Sequence, residues 1–144
     1  MKCGALIPVL VMLPNVIWML SPKQSTSASR PVPLALTVIE NIGRAAILVL
    51  PFFYSLNTHR TYSVHAIILM GLLLAVYYAC WIRYFAAGSP ARLLGAPFLG
   101  IPLPMAVAPT LFLMLSSYLM DSYPMLIASI LFGVSHIWVS AISL

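Results

Sequence analysis

Two ionisable residues stand four positions apart inside a long apolar run of this sequence. Glu40 and Arg44 lie within residues 32–56, where most of the other side chains are apolar. Residues four apart on a helix share one face, so a carboxylate and a guanidinium at this spacing can form an ion pair. A carboxylate in apolar surroundings can also hold a ligand or act as a general base towards a water molecule. This pair is therefore the first candidate for chemistry.

A histidine and two amides extend the candidate site. Arg44 is the thirteenth residue of its apolar run, and His136 is the twelfth residue of the run 125–144, so both fall in the middle third of the bilayer. If the two helices are neighbours, their polar side chains share one pocket. The catalytic residues stay unknown at this point, with Glu40 and His136 as candidates. The predicted ligand-binding set consists of Glu40, Asn41, Arg44, Asn15 and His136.

A structural role for the same residues stays open at this point. A charge at mid-membrane costs about 2.5–3.5 kcal/mol on insertion scales, and pairing Glu40 with Arg44 offsets part of that cost. The pair would then fasten its helix to its neighbours and carry no chemistry. A single histidine on a helix is more often a packing residue, in which case Ser135 and Ser140 are the expected partners of His136.

Two short motifs resemble those of CAAX-type, glutamate-dependent intramembrane proteases. Glu40 to Arg44 is similar to the E-x-x-x-R half of the EExxxR motif, and Phe132 to His136 is similar to the FxxxH motif. The resemblance implies a membrane-embedded hydrolase in which Glu40 and His136 activate a water molecule for peptide hydrolysis. The sequence departs from the family pattern because Ile39 replaces the first glutamate and no HxxxN motif follows.

The composition is typical of a membrane protein. The chain has 144 residues, of which 62% are hydrophobic and 6% charged, with a mean hydropathy of +1.06. Water-soluble domains carry about 25% charged residues, so this chain has too few of them to cover a water-facing surface. Several apolar runs have about 20 residues, the length that crosses about 30 Å of hydrocarbon. The lipid bilayer is therefore the first predicted partner.

The apolar runs predict an all-α integral membrane protein, a bundle of five transmembrane helices in a single domain over residues 1–144. Prolines within several runs predict kinks, because a proline removes one backbone hydrogen bond of a helix. The segment 85–100 is rich in glycine and proline, and we expect it to be interfacial or partly re-entrant. The aromatic residues from Tyr77 to Tyr84 are expected to form an interfacial belt. The predicted helices span residues 4–21, 32–56, 63–84, 101–120 and 125–144.

The distribution of basic residues predicts an orientation. A five-helix topology places two basic residues on one side, Lys2 and Arg60, and four on the other, Lys23, Arg30, Arg83 and Arg92. Because basic loops stay in the cytoplasm, we expect the N-terminus outside and the C-terminus in the cytoplasm, in the plasma (inner) membrane of a bacterium. Residues 1–21 are interpreted as a retained helix, and a cleaved signal peptide is the alternative.

Other chemistries have no signal in the sequence. The net charge of +5 comes from scattered basic residues beside apolar runs, where lipid headgroups attract them, so nucleic acid is not an expected partner. Cys3 and Cys80 have neither metal nor redox spacing, and no cluster of ligating residues has the spacing of a metal site. Phosphate-binding and dinucleotide-binding motifs are missing, so neither a cofactor nor a metal is expected.

Three functions stay open on this basis, and the question whether the protein is an enzyme stays open with them. The first is a binding or transport protein whose pocket accepts a small polar, anionic or lipid-like ligand between proline-kinked helices. The second is the hydrolase implied by the resemblance. The third is a structural or accessory subunit, in which the ion pair fixes packing against a partner. Short helices also suit assembly into a homo-oligomer or with another membrane protein.

Overall fold

The computed structural model describes residues 3–21 and 31–143, and these residues form five α-helices and no β-strand. A 3-10 turn at Cys3–Ala5 precedes the first helix, a second at Leu50–Phe53 continues the second helix, and a third lies at Ala91–Leu93. The α-helices are α1 at Leu6–Leu20, α2 at Leu34–Val49, α3 at Ser63–Ala86, α4 at Pro104–Leu119 and α5 at Tyr123–Ser143.

Three of the helical segments are long and apolar enough to cross a membrane. They are Leu34–Phe53, Ser63–Ala86 and Tyr123–Ser143, with mean hydropathies of 1.6, 2.0 and 2.0. The helices α1 and α4 are also apolar, but their 15 and 16 residues extend only about 22–24 Å at 1.5 Å per residue. The structure is therefore compatible with a membrane protein, as the composition indicates.

Four of the helices pack side by side in the order α2, α5, α4 and α3, and α1 packs against the last two. The turn at Cys3–Ala5 also contacts the turn at Leu50–Phe53, which brings the start of α1 to the end of α2. The core between the helices is filled by apolar side chains from all five, among them Ile7, Ile47, Met70, Leu113 and Phe132.

Pro14, inside α1, leaves a carbonyl group without its helical donor, and α3 supplies the replacement. Pro14 has no N–H to donate to the Leu10 carbonyl four residues earlier. In the structure the Tyr78 hydroxyl donates to that carbonyl oxygen at 2.8 Å, and the Tyr77 hydroxyl donates to the Val11 carbonyl oxygen at 3.1 Å. These bonds fasten the middle of α1 to α3.

Several helix ends differ from the sequence-based boundaries. Helix α2 does not reach residue 56: it tightens into the turn Leu50–Phe53 and ends there, because Pro51 cannot continue the α-helical hydrogen bonds. Helix α5 begins two residues earlier than predicted, at Tyr123. The Ser122 hydroxyl oxygen caps this start by accepting from the backbone N–H of Met125 at 3.2 Å.

Three rings of the aromatic cluster at the end of α3 face the interior of the bundle, and the interfacial position of the cluster stays a prediction. Tyr77, Trp81 and Tyr84 are buried and pack edge to face with one another. They point inward because α1 and α4 cover this face of α3, and the Trp18 indole N–H donates to the Tyr84 hydroxyl oxygen at 3.2 Å. The aromatic cluster is therefore part of the bundle core.

The two ends of the bundle are fastened by different polar contacts. At one end, the Arg60 guanidinium donates to the Asp121 carboxylate at 2.8 Å, and the backbone N–H of Asn57 donates to the Leu119 carbonyl oxygen at 2.7 Å. These contacts join the α2–α3 connection to the α4–α5 turn. At the other end, the Arg83 guanidinium lies 5.1 Å from the ring centre of Phe98, so it holds the α3–α4 connection against α3.

The α3–α4 connection is folded rather than extended. It contains the turn Ala91–Leu93 and an isolated bridge between Phe98 and Ile101, and Leu103 enters α4 with a φ of 48°. The interfacial or re-entrant placement of residues 85–100 stays a prediction, since it depends on a bilayer.

Helices α2 and α5 approach each other closely at Gly43. A Cβ atom added to Gly43 would lie 2.9 Å from the backbone N and Cα atoms of Phe132, which is shorter than any normal contact. A glycine is therefore needed here for the two backbones to come this close.

We expect Gly43→Ala to lower the free energy of unfolding by about 1–3 kcal/mol, because the added methyl group forces α2 and α5 apart. The control is Gly71→Ala on α3, where an added Cβ meets nothing within 4 Å and helix propensity favours alanine. Denaturant-induced unfolding in detergent micelles measures both variants. Equal stability of the two variants would contradict the close contact at Gly43.

Candidate functional site

The centre of the candidate site is a carboxylate that faces the interior of the helix bundle. The Glu40 side chain is only 6% exposed. It lies on the side of α2 that packs on α5, and Gly43, less than one turn later, lets the two helices come close. A buried carboxylate needs hydrogen-bond donors around it, because burial removes the water that would otherwise solvate the charge.

Two donors from two different helices converge on Glu40. Arg44 Nη2 donates to Glu40 Oε1 at 2.5 Å from one turn further along α2. His136 Nδ1, on α5, lies 2.8 Å from the same oxygen atom. With Glu40 ionised, the Nδ1 proton of a neutral imidazole points to the carboxylate, which leaves Nε2 as an acceptor. Among the described residues, no hydrogen bond reaches Glu40 Oε2.

The His136 ring is held in place by an aromatic neighbour. The Phe132 ring stacks on it, with ring centres 4.9 Å apart and planes inclined by 14°. The expectation that Ser135 is a partner of His136 is wrong: the Ser135 hydroxyl donates to the Leu131 carbonyl oxygen at 2.7 Å. The partner of the histidine is Glu40, because α2 packs on α5 at this level.

A cavity of about 250 Å³ borders the cluster, so the carboxylate is not sealed in the interior. Glu40 and His136 are among its lining residues, and their neighbours come from the end of α1, the end of α3, the start of α4 and the end of α5. The remaining lining residues are Asn15, Trp18, Trp81, Leu94, Leu103, Met105, Ala106, Val139, Ser140 and Ser143.

The position of the cavity along the bundle follows from the helix ends. Glu40 is the seventh residue of α2 and His136 stands seven residues before the end of α5, so both lie about 10 Å inside the same end of the bundle. Leu94 and Leu103 of the α3–α4 connection line the cavity at that end. The cavity therefore lies between the polar cluster and the α3–α4 connection.

The structure brings four of the five predicted ligand-binding residues to this region and leaves one outside. Glu40, His136 and Asn15 line the cavity, whereas Arg44 bonds to Glu40 and is not itself a lining residue. Asn15 is tied to the wall by its amide, which donates to the Tyr77 hydroxyl oxygen at 2.8 Å. Asn41 is exposed on the outer surface of α2 and is not a lining residue.

Sequence reasoning missed the aromatic and serine walls of the cavity. Trp18 and Trp81 line it on one side, and Ser140 and Ser143 line it on the other. The signal for Trp81 was its spacing of four from Tyr77, which places both rings on one helix face. That spacing alone does not say whether the face points inward or outward.

The three side chains of the polar cluster differ in how much of their surface is exposed. The Glu40 side chain is 6% exposed, His136 is 26% exposed and Arg44 is 44% exposed. Glu40 and Arg44 cancel each other in charge, so the cluster carries no net charge when His136 is neutral. Beside the apolar walls, the cavity offers an imidazole nitrogen, an amide and hydroxyl groups, which suits a ligand with one polar end and one apolar end.

A second cavity, of about 200 Å³, lies at the opposite end beside Arg60 and Asp121. Arg60 is already satisfied there, since it bonds to Asp121 and to the Tyr118 carbonyl oxygen at 2.9 Å and lies over the Tyr118 ring. These contacts explain how the two connections are joined, and they leave the Glu40 cluster as the better candidate site.

The comparisons with known proteins add no family to this description. Neither a protein-family model, nor a curated protein, nor a solved structure matches this chain, so the geometry of the site is what points to a function.

Proposed function

We propose that the protein is an integral membrane protein that binds or transports a small polar, anionic or lipid-like ligand in the cavity beside Glu40 and His136. The observation that carries the proposal is the 2.8 Å contact between Glu40 Oε1 and His136 Nδ1 at the wall of that cavity. A pair with only a structural role needs no adjacent space, whereas a binding site needs polar groups that a ligand can reach.

The proposed placement in the membrane uses all five helices. Three segments have the length and hydropathy of membrane spans, and the shorter apolar helices α1 and α4 pack with them around one core. Charged side chains at membrane depth mark ligand and ion pathways in many membrane proteins, because their cost is tolerated only where they serve the protein. Glu40 and Arg44 fit that pattern.

In the proposed orientation the N-terminus is outside and the C-terminus is in the cytoplasm of the plasma membrane. The cavity then lies near the cytoplasmic side, because the α3–α4 connection, with Arg92, lies at that end of the bundle. A ligand would enter past Leu94 and Leu103, which stand at the same end.

A second candidate function is supported by the same contact. A hydrolase of the kind implied by the resemblance to CAAX-type proteases needs its glutamate and its histidine within hydrogen-bond or one-water reach of each other. Glu40 and His136 meet that requirement. In this mechanism Glu40 and His136 activate a water molecule: Glu40 accepts its proton while the water oxygen attacks a peptide carbonyl carbon, and the proton then passes to the amine nitrogen as the C–N bond breaks.

The binding proposal is tested with the full chain in lipid nanodiscs and three amphiphiles that share an octyl chain: octyl phosphate, octyl phosphocholine and octylamine. We expect the anionic or the zwitterionic compound to raise the unfolding temperature, by an amount equivalent to about 2.7 kcal/mol at 100 times its dissociation constant. Ser140→Trp fills the cavity and should remove the effect. The matched control is Val134→Trp on the outer surface of α5, which should retain it. A shift that is absent from the native chain, or equal in both variants, would contradict the proposal.

The hydrolase alternative is tested with a library of fluorescence-quenched peptides incorporated into the same nanodiscs. If Glu40 is a general base, Glu40→Gln should lower the rate of hydrolysis by at least about 100-fold, and His136→Gln should do so as well. Val134→Ala, on the outer surface, serves as the control. The enzyme reading is rejected if the native chain cleaves no peptide or if Glu40→Gln cleaves at the native rate.

The proposed orientation is tested by labelling single cysteines in intact cells with a membrane-impermeant maleimide, in a chain with Cys3 and Cys80 replaced by alanine. His59 and Ala91 are both exposed, in connections at opposite ends of the bundle. We expect His59→Cys to be labelled in intact cells, and Ala91→Cys to be labelled only after the membrane is permeabilised. The reverse pattern would place the cavity on the outer side.

A further inference from the structure

The outer surface of α2 carries an amide that has no partner among the described residues. Asn41 is exposed and makes no hydrogen bond there. It is the eighth residue of the apolar segment Leu34–Phe53, about 10 Å from the start of that segment. Its exposed neighbours Val38 and Ile42 are apolar, so the surface around the amide is suited to lipid.

The geometry of α2 shows that Asn41 cannot turn to the cavity. Gly43 lies against Phe132 of α5, and residues two apart on a helix point about 200° from each other. Asn41 therefore faces away from the α2–α5 contact, whereas Glu40 faces inward. The ligand site leaves this amide unused.

An amide on the lipid-facing side of a membrane helix is unfavourable without a partner. The hydrocarbon region contains no water, so an unpaired donor and an unpaired acceptor both lose their hydrogen bonds there. Asparagine side chains at such positions hydrogen-bond to neighbouring helices. Within residues 3–21 and 31–143 no helix covers Asn41, so its partner is sought in another molecule.

We infer that the outer face of α2, centred on Asn41 and extending from Thr37 to Ala45, binds the same face of a second copy of this chain. Two copies that insert with the same orientation are related by a two-fold axis along the membrane normal. Such an axis brings each residue on the interface to the same depth as its own counterpart. Asn41 then meets Asn41 of the other copy, and an amide is both donor and acceptor, so the pair is self-complementary.

The residues around Asn41 allow two helices to approach closely. Thr37 and Ala45 stand one turn before and one turn after it, and both have small side chains. Small residues at this spacing let membrane helices pack with their backbones close together. Arg44 does not oppose the contact by charge repulsion, because its guanidinium is paired with Glu40 within the same copy.

This inference rests on the membrane insertion that we propose, but not on the ligand or on hydrolysis. Extraction of membranes with alkaline carbonate separates the two. Release of the chain into the soluble fraction overturns both the insertion and the interface. A chain that stays in the membrane keeps the insertion, and the measurements below then decide the interface alone.

The main test is energy transfer between copies of the full chain that carry donor or acceptor fluorophores at the C-terminus, in vesicles of phosphatidylethanolamine and phosphatidylglycerol. We expect transfer above the level of random proximity, and Asn41→Leu should weaken the association roughly 3- to 20-fold, the range for interhelical hydrogen bonds in membranes. Asn41→Gln keeps the amide and should restore most of it. Leu69→Ala, on the exposed face of α3, is the control and should have no effect.

The inference is overturned if energy transfer between copies of the native chain equals that of random proximity. The same result is expected if the partner of Asn41 in the cell is a different membrane protein. It is equally overturned if Asn41→Leu associates as strongly as the native chain.

A second measurement locates the contact without removing the amide. In a chain with Cys3 and Cys80 replaced by alanine, Ala45→Cys should form a disulfide-linked dimer on mild oxidation in membranes, and Leu69→Cys should not. Adding Asn41→Leu to Ala45→Cys should lower the yield of this dimer. Equal cross-linking at the two positions would contradict an interface on α2.

Discussion

The arrangement of the helices depends on one buried carboxylate, which needs a positive charge and hydrogen-bond donors around it inside an apolar bundle. Glu40 is almost fully buried; its charge is balanced by Arg44 from the next turn of the same helix, and its carboxylate accepts a hydrogen bond from His136 on α5. A buried charge that loses its partner is strongly destabilising, so this cluster ties the position of α5 to that of α2. The glycine at position 43 serves the same contact, since it lets the two backbones come close enough for the side chains to meet.

The same requirement, that polar groups in apolar surroundings find partners, positions α1. The carbonyl group that Pro14 leaves free accepts a hydrogen bond from Tyr78, and Asn15 and Tyr77 bond to each other beside it. These bonds hold α1 against α3, and α1 thereby contributes Asn15 and Trp18 to the wall of the cavity. Pro14 therefore contributes to the site indirectly, because the carbonyl group that it frees helps to hold α1 at the cavity.

Helix α2 presents two polar surfaces that point in different directions. Glu40 faces the bundle and the cavity, and its neighbour Asn41 faces outward. In our proposals the inner surface binds a ligand and the outer surface binds a second copy of the chain. The two roles are physically separate, because Arg44 is paired within its own copy and the amide of Asn41 has no contact with the cavity. Assembly and ligand binding can therefore be examined independently.

The features that the sequence determined by itself are local or compositional. The five helices, the compatibility with a membrane and the pairing of Glu40 with Arg44 follow from apolar runs and from a spacing of four residues. The carbonyl group freed by Pro14 follows from the chemistry of proline. Only the tertiary structure decided that α5 is the neighbour of α2, that His136 bonds to Glu40 rather than to a serine, that Tyr77 and Trp81 point inward, and that Asn41 points outward. The physical reason is that these helices are apolar on nearly all sides. Their hydrophobic pattern therefore does not mark an inner face, and the rotation of each helix is set by a few polar contacts with its neighbours.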